Sequence, residues 1–363
     1  MLLDGPSARH SRVRPWQIVL ATVLVAVVAL LAVGLYEAYR RRPQESLTTS
    51  APLHYTTHRI GPRDAPTHYV LLIGIAYANG NLWRILLHEY WHAAAERNAD
   101  GSTIALQFIV PDLLGTGKSP WPSTAGEPDA YSVQSHCRAL KRVLVKALPR
   151  RAPLHIVGVC LGGILALHLA ASVNAASLSL ISVPYFSTGD EAWRAGEQYA
   201  LWYRQPWLIK LYTHAVARQR WLLGPLLRRG VALKCPGLGV ISDAYCDARP
   251  EALRQSLLAV SCRYRPQRAA LRIGSARVPT LALRGERDPL CSDKRQAQLL
   301  ADTGARGLVV RGKGATHNVH VRQPKLVIDA VNAFIRQVAT HIERRNAWRP
   351  IETESGCIGR FRT

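Results

Sequence analysis

Short apolar runs alternate with amphipathic stretches along most of this chain. The amphipathic stretches, at residues 82–97, 131–148 and 325–342, have apolar positions three or four residues apart, and this spacing predicts helices. The apolar runs are short enough to be buried strands, and they lie at residues 69–73, 103–110, 154–157, 178–183, 279–283 and 307–310. Strands that alternate with helices predict an α/β protein in which a mostly parallel sheet carries helices on both faces.

The alternation is interrupted once, and the interruption defines the domain organisation. Residues 184–275 have mostly helical patterning and several tryptophans, which predicts a helical cap. The core then consists of residues 67–183 and 276–342. Residues 37–66 are rich in Pro, Ser and Thr and predict a linker, and residues 343–363 predict a polar tail.

One segment near the amino terminus is long and apolar enough to cross a bilayer. Ile18 to Leu35 carries no charge, and Trp16 and Tyr36 flank it where an interfacial aromatic belt would lie. A cleaved signal peptide has a shorter apolar core, so residues 16–36 predict a single-pass membrane anchor after a basic tail, residues 1–15. Arginines lie on both sides of the segment, which leaves its orientation undetermined.

The charge balance is strongly basic. The chain has 47 Lys and Arg against 24 Asp and Glu, a formal net charge of +23. Such a charge favours anionic partners and is uninformative about fold. No compact Lys/Arg tract with interleaved aromatic residues occurs, so nucleic acid is not an expected partner. Membrane lipid is an expected partner, because the cap combines Trp with Arg; alternatively, the tryptophans form the cap's own small core.

Cysteine usage favours a reducing compartment. The seven cysteines are an odd number, and none forms a C-x-x-C pair or a metal-type spacing. Free thiols are typical of reducing environments, which favours the cytoplasmic face of the membrane. We expect no disulfide framework, no metal and no cofactor.

The sequence around Cys160 has the pattern of a nucleophile elbow. The strand ending at Val157 leads into Gly-Val-Cys-Leu-Gly-Gly and then directly into an Ala/Leu-rich helix, which matches G-x-S-x-G with cysteine in place of serine. Gly158 and Gly162 supply the small flanking residues that this tight turn needs. At a helix amino terminus the dipole favours the thiolate form. The alternative is a buried cysteine in the strand-to-helix turn of a Rossmann-like domain.

Two later strands are followed by residues that would complete a catalytic triad. In a parallel sheet, reactive groups collect at the carboxyl ends of the strands. Asp288 follows the strand at 279–283 and is the candidate acid, with Glu286 and Asp190 as alternatives. His317 follows the strand at 307–310 and is the candidate base. His320 lies three residues further on, and one of these two histidines is expected only to pack or to bind a carbonyl.

The backbone supplies a candidate oxyanion hole. The loop that follows the strand at 69–73 begins with Gly74 and Ile75. The N–H groups of Ile75 and of Leu161, the residue after Cys160, are the predicted donors.

Taken together, residues from about Tyr69 to Ile342 resemble the α/β-hydrolase fold superfamily. The resemblance rests on the early Gly loop, the elbow, and the order nucleophile, acid, histidine. Residues Asp112 to Ser119 are also similar to the family's D-x-x-G-x-G-x-S loop, and this resemblance implies that they have a structural role beside the site. Cysteine at the nucleophile position is similar to the dienelactone hydrolase and polyhydroxyalkanoate synthase branches. The family's usual His-Gly is Ile73-Gly74 here.

This chemistry predicts acyl transfer through a covalent intermediate. A Cys160 thiolate attacks esters and thioesters well, and the resulting acyl-cysteine passes its acyl group to water or to another acceptor. The sequence therefore predicts a membrane-anchored hydrolase or acyltransferase whose partner is a small-molecule ester or thioester with a lipid-like acyl chain. A hydrolase-shaped protein that has lost activity and only binds is one alternative.

A second alternative comes from a competing motif. Residues 88–92 read H-E-Y-W-H and match H-E-x-x-H, in which His88 and His92 would bind zinc while Glu89 activates water. The pattern has only three fixed letters, and no third ligand follows at a suitable spacing. In the hydrolase interpretation the same residues form the solvated face of the first helix, with Trp83, Leu86 and Leu87 packed on the sheet.

Overall fold

A seven-stranded sheet organises the protein. The computed structural model describes residues 48–75, 80–97, 104–122, 126–199, 252, 256 and 264–347. The strands are β1 Tyr55–Ile60, β2 Thr67–Ile73, β3 Ala105–Pro111, β4 Leu154–Val159, β5 Ala175–Ile181, β6 Thr280–Gly285 and β7 Arg306–Val310. Their order in the sheet is β1-β3-β2-β4-β5-β6-β7.

Six of these strands are parallel, and the first is not. β1 pairs antiparallel with β3 at the edge of the sheet, whereas every other pairing is parallel. The predicted mostly parallel sheet is therefore confirmed. β1 itself lies in residues predicted as linker. Of its six residues two are exposed and three are partly buried, as expected of an edge strand, and it lacks the apolar run of a central strand.

Helices cover both faces of the sheet. They are α1 Asn81–Leu86, a π-helical turn Leu87–Trp91, α2 His92–Arg97, α3 Val133–Ala147, α4 Leu161–Ala170, α5 Gly189–Tyr199, α6 Gln267–Ser275, α7 Asp293–Thr303, α8 Val319–Arg322 and α9 Pro324–Ala347. One apolar core joins β-strand residues to α3, α4, α6 and α7, and a second joins them to α1, α2, α8 and α9. Alternate residues of β2 belong to different cores, Leu71 to the first and Leu72 to the second, as the two-residue period of a strand requires.

The predicted membrane location is corrected by the structure. In the part of the chain that the structure describes, no helix is both long enough and apolar enough to cross a membrane. The longest described helix, α9, has 24 residues but carries charges along its length, among them Lys325, Asp329 and Arg336. The predicted anchor, residues 16–36, lies outside the described residues. A single-pass membrane location is therefore not retained.

The predicted cap also lies largely outside the described residues. The structure describes the two ends of the cap, which include α5 and α6. Between these ends it describes only Ala252 and Ser256. Both of these residues are buried, and Ala252 belongs to the core that includes α3 and α4. The boundaries 184–275 stay a prediction.

Candidate active site

The turn between β4 and α4 holds Cys160 in a strained conformation. Every residue of β4 is buried, and Cys160 follows it with φ 51° and ψ −119°, outside the regions that L-residues prefer. Its N–H donates to the carbonyl oxygen of Ile181 at 2.8 Å, which ties the turn to the end of β5. Cys160 is partly exposed at the carboxyl end of the sheet.

Close backbone approach explains the glycines on either side. A Cβ atom on Gly158 would lie 2.5 Å from the carbonyl oxygen of Gly162 and 2.7 Å from the Cβ of Ala166. A Cβ atom on Gly162 would overlap the carbonyl groups of Ile73 and Gly74. Strand, helix and the loop after β2 can meet at this point only because side chains are absent.

His317 faces the sulfur. Its loop follows β7 and turns through Gly312 and Gly314, whose φ angles are 98° and 93°. The imidazole is buried, and its Nε2 lies 3.1 Å from Cys160 Sγ. The structure thus brings together two predicted site residues that are 157 positions apart.

Asp288 binds the other side of the same ring. Its Oδ1 and Oδ2 lie 3.0 and 2.9 Å from His317 Nδ1. The N–H groups of Leu290 and Cys291 donate to Oδ1 at 2.9 and 3.1 Å, which fixes the carboxylate in its turn. The acid and histidine loops are also joined directly, since Arg287 N–H donates to the carbonyl oxygen of Ala315 at 2.8 Å.

The other acids considered from the sequence lie elsewhere. Glu286 is exposed and lies 3.9 Å from Arg311. Asp190 is exposed at the start of α5. Among the described residues, Asp288 is the carboxylate bonded to the His317 ring.

Burial and charge act in opposite directions on the two ionisable partners. Burial would raise the pKa of Asp288, but the hydrogen bond and positive charge of His317 and the bonds from residues 290 and 291 hold it below its usual value. Burial would lower the pKa of His317, but the negative charge of Cys160 and the bond to Asp288 raise it well above its usual value. The site therefore favours a protonated His317 imidazole beside an ionised Asp288.

His320 differs from His317 although both are buried. It lies on α8, and burial together with the charge of His317 lowers the pKa of His320 to about 3. A neutral ring of this kind packs and does not carry a proton at ordinary pH. Of the two neighbouring histidines, His320 is therefore the one suited to packing.

The predicted oxyanion donors lie beside the elbow. Ile75 follows β2 and is buried, and the carbonyl of the preceding Gly74 touches Gly162 in the first turn of α4. Leu161 is the first residue of α4, where N–H groups have no acceptor within the helix.

The Asp112 loop is structural, as the resemblance implies. The Asp112 carboxylate accepts hydrogen bonds from the N–H groups of Gly80 at 2.6 Å and Lys118 at 3.0 Å. Ser119 Oγ donates to the Asp112 carbonyl oxygen at 2.6 Å and accepts from the N–H of His54 at 3.0 Å. This loop therefore connects the start of β1, the end of β3 and the start of α1.

The competing histidine motif forms no ligand cluster in the described residues. His88 and His92 are exposed, and their ring centroids are 6.4 Å apart in an edge-on arrangement. Among the residues described, the group of three or more His, Cys, Asp or Glu with ligand atoms within 4.8 Å of one another is Asp288, Cys291 and His317. Trp83, Leu86 and Leu87 are buried, as the hydrolase interpretation predicts.

Sequence reasoning missed Cys291. This thiol is 1% exposed and lies three residues after Asp288, inside the acid loop. The only indication in the sequence was that Cys291 lies three residues after Asp288, and this spacing matches no known sequence motif.

Comparison with known proteins assigns the family. The sequence model of the Alpha/beta hydrolase family matches residues 70–330. This chain belongs to that family, and the predicted hydrolase class is confirmed.

Solved structures agree on the fold. An esterase from Thermogutta terrifontis aligns with a TM-score of 0.55 and 18% identity, covering 80% of this chain and 97% of that one. A hydrolase from Pseudomonas aeruginosa aligns with a TM-score of 0.54 and 18% identity over the same shares of both chains. An enol-lactonase from Burkholderia xenovorans aligns with a TM-score of 0.53 and 16% identity, covering 78% of this chain and 96% of that one. Identities this low show the fold alone.

Two curated plant proteins are similar over a shorter segment. "Probable lysophospholipase BODYGUARD 1" from Arabidopsis thaliana is 35% identical over 91 residues, which are 24% of this chain and 18% of that protein. "Probable lysophospholipase BODYGUARD 2" is 33% identical over 90 residues, with the same shares. The match therefore spans less than a fifth of the length of either relative.

Proposed function

We propose that this protein cleaves carboxylic esters or thioesters through a covalent acyl-cysteine, with Cys160 as nucleophile, His317 as general acid and base, and Asp288 as the residue that orients His317. The observation that carries the proposal is the continuous row of contacts, with Sγ 3.1 Å from Nε2 and Nδ1 2.9 Å from a carboxylate oxygen. This is the arrangement by which a nucleophile, its base and the base's partner act as a unit.

The first half-reaction acylates the cysteine. The Cys160 thiolate attacks the carbonyl carbon, a C–S bond forms, and the carbonyl oxygen becomes an oxyanion that accepts hydrogen bonds from the N–H groups of Ile75 and Leu161. When the oxyanion collapses, the bond to the leaving alkoxide or thiolate breaks. The protonated His317 donates its Nε2 proton to that leaving group, so an alcohol or thiol departs and an acyl-thioester remains on Cys160.

The second half-reaction returns the enzyme to its starting state. The neutral His317 takes a proton from water, and the resulting hydroxide attacks the acyl-cysteine. The C–S bond breaks, the acid product leaves, and the thiolate and imidazolium are restored. An alcohol in place of water would turn the same step into acyl transfer, so hydrolysis and transfer share every residue of this site.

The nucleophile favours some carbonyl compounds over others. A tetrahedral adduct of a thiolate and an amide expels the sulfur more readily than the amine, whereas esters and thioesters have better leaving groups. The names of the plant relatives support ester substrates, including monoacyl lipid esters.

Steady-state kinetics of the full-length protein test this proposal. p-Nitrophenyl esters from acetyl to palmitoyl, acyl thioesters and a lysophospholipid would be assayed with wild type and Cys160→Ala. Cys137→Ala is the matched control, because Cys137 is also a free cysteine but lies on α3. We expect Cys160→Ala to lower kcat/KM by about 10⁴-fold and Cys137→Ala to change it by less than about threefold.

Two outcomes would contradict the proposal. One is hydrolysis by Cys160→Ala at the rate of the Cys137→Ala control. The other is activity that a chelator abolishes and Zn²⁺ restores while Cys160→Ala remains active, which would direct attention to His88 and His92.

A further inference from the structure

A second thiol lies against the acid and the histidine of the site. Cys291 is buried in the loop between β6 and α7, and its N–H donates to Asp288 Oδ1 at 3.1 Å. Its Sγ, a carboxylate oxygen of Asp288 and a ring nitrogen of His317 all lie within 4.8 Å of one another. Cys291 therefore approaches the Asp288–His317 pair with both its backbone and its side chain.

The buried Asp288 carboxylate can accept a further hydrogen bond from the Cys291 thiol. Its side chain is 0% exposed, so water cannot satisfy its charge. An ionised carboxylate has about four lone-pair sites. The hydrogen bonds from His317 Nδ1 and from the N–H groups of Leu290 and Cys291 account for three partners. An S–H group beside the same carboxylate provides a further donor.

The thiol of Cys291 is suited to donate and not to react. Burial, and then the negative charge of Asp288, raise the pKa of Cys291 far above its usual value, so the sulfur keeps its proton. Cys160, in contrast, is partly exposed and lies at the start of a helix. The two cysteines near His317 therefore have different chemical roles.

We propose that Cys291 is a positioning residue whose S–H group hydrogen-bonds Asp288 and keeps this carboxylate ionised and aligned with Nδ1 of His317. The role rests on the function proposed above, since it acts through the Asp288–His317 pair. Cys291 does not touch substrate. Without its donor, Asp288 holds the imidazolium less firmly, and the proton on His317 is lost at a lower pH.

Three substitutions separate this role from simple space filling. Cys291→Ser keeps a side-chain donor, whereas Cys291→Ala and Cys291→Val remove it, and Val fills the space that Ala leaves empty. A positioning role predicts that Ser preserves function and that Ala and Val impair it similarly. A packing role predicts the opposite order, because a buried hydroxyl is costly and Val retains apolar contact.

Kinetics over a range of pH provide the first readout on the full-length protein. We expect Ala and Val to lower kcat by about three- to tenfold with little change in KM, and to move the alkaline limb of kcat/KM to lower pH. Cys291→Ser should stay within about threefold of wild type with an unshifted profile, as should the Cys137→Ala control. Thermal unfolding identifies any variant that fails to fold, and Ala and Val provide two independent donor-free variants.

A titration of His317 by NMR provides a second readout that needs no catalysis. The imidazole nitrogens of His317, assigned with His317→Gln, would be followed against pH in wild type and the three variants. We expect a lower pKa for His317 in Ala and Val than in Ser. Equal His317 titration in all variants would overturn the role of Cys291, whatever the activity. If Cys160→Ala proved active while these shifts appeared, the proposed function would fail, whereas the effect of Cys291 on the Asp288–His317 pair would stand.

Discussion

Two clusters that contain buried histidines lie at opposite edges of the sheet, one near the carboxyl ends of the strands and the other near their amino ends. At the carboxyl ends, His317 lies between Asp288 and Cys160. Near the amino ends, His68 Nδ1 lies 2.9 Å from His155 Nε2, and His155 Nδ1 lies 2.7 Å from Ser177 Oγ. Every imidazole in the two clusters is buried, so burial alone cannot distinguish them.

The partners determine the sign of the pKa shift. Burial, with the charge of His68, lowers the pKa of His155 to about 3. Burial also lowers the pKa of His68, although Glu343 lies 3.0 Å from its Nε2, since that carboxylate is partly exposed. For His317, the negative charge of Cys160 and the hydrogen bond to the fully buried Asp288 outweigh burial and raise the pKa. A buried histidine keeps its proton only where nearby negative charge outweighs the cost of burial.

The largest expected effect comes from removing the imidazole of His317 at the carboxyl end. His317→Ala should lower kcat/KM by about 10⁴-fold, because both half-reactions pass a proton through Nε2. His155→Gln is the matched control, and it should leave kcat/KM within about threefold of wild type while lowering the free energy of unfolding. Equal losses of activity in the two variants would mean that the carboxyl end has no special role.

A smaller effect is expected from the carboxylate. Asp288→Asn should lower kcat/KM by about 10²- to 10⁴-fold and move its alkaline limb to lower pH, because the charge that holds the imidazolium is removed. Glu286→Gln, two residues away and exposed, should leave both the rate and the pH profile unchanged. A pH profile of Asp288→Asn that coincides with wild type would contradict the assigned role of Asp288.

The smallest effect concerns stability at acid pH. The pKa of His136 is lowered by burial to about 4, and those of His155 and His320 to about 3. Unfolding restores ordinary values near 6.5, so the unfolded chain binds protons that the folded chain does not, and stability falls as pH drops below about 6.5. The raised pKa of His317 acts the other way: its contribution is complete below about 6.5 and is lost as pH rises through the folded-state pKa.

Urea unfolding at several pH values between neutrality and pH 5 measures this effect. Each buried neutral histidine should add a slope of about 1.4 kcal/mol per pH unit below its ordinary pKa. His155→Gln removes one such group, so its free energy of unfolding should fall less steeply than that of wild type, even though it starts lower. Parallel curves for the two proteins would show that His155 is not buried in the neutral form.

Much of the candidate site could be predicted from the sequence, but little of its surroundings could. The elbow around Cys160 is local, and its glycines and flanking apolar residues are contiguous in the chain. Asp288 and His317 could be predicted because each lies in the loop that follows a strand, and parallel strands place their carboxyl ends together. The choice between Asp288 and Glu286 depended on the path of the loop after β6, which the pattern of apolar and polar residues does not predict.

Features that depend on long-range pairing were beyond prediction. The pair His68 and His155 exists because β2 and β4 are neighbours in a particular register, with Val70 opposite His155. β1 was missed because its burial comes from pairing with β3 at the sheet edge and not from an apolar run. Cys291 was missed because its significance depends on two side chains brought to it by separate loops. The membrane anchor was inferred from the length and hydropathy of one segment and from its flanking aromatic residues, and no helix of the described residues supports it.

Mass spectrometry of the acyl-enzyme tests the covalent mechanism most directly. Full-length protein would be mixed with a p-nitrophenyl ester, quenched in acid at early times and analysed as intact protein and as peptides. The mechanism predicts one acyl group per chain, mapped to Cys160, present in wild type and in Cys137→Ala and absent in Cys160→Ala. An acyl group on any other residue, or turnover by Cys160→Ala without an adduct, would contradict it.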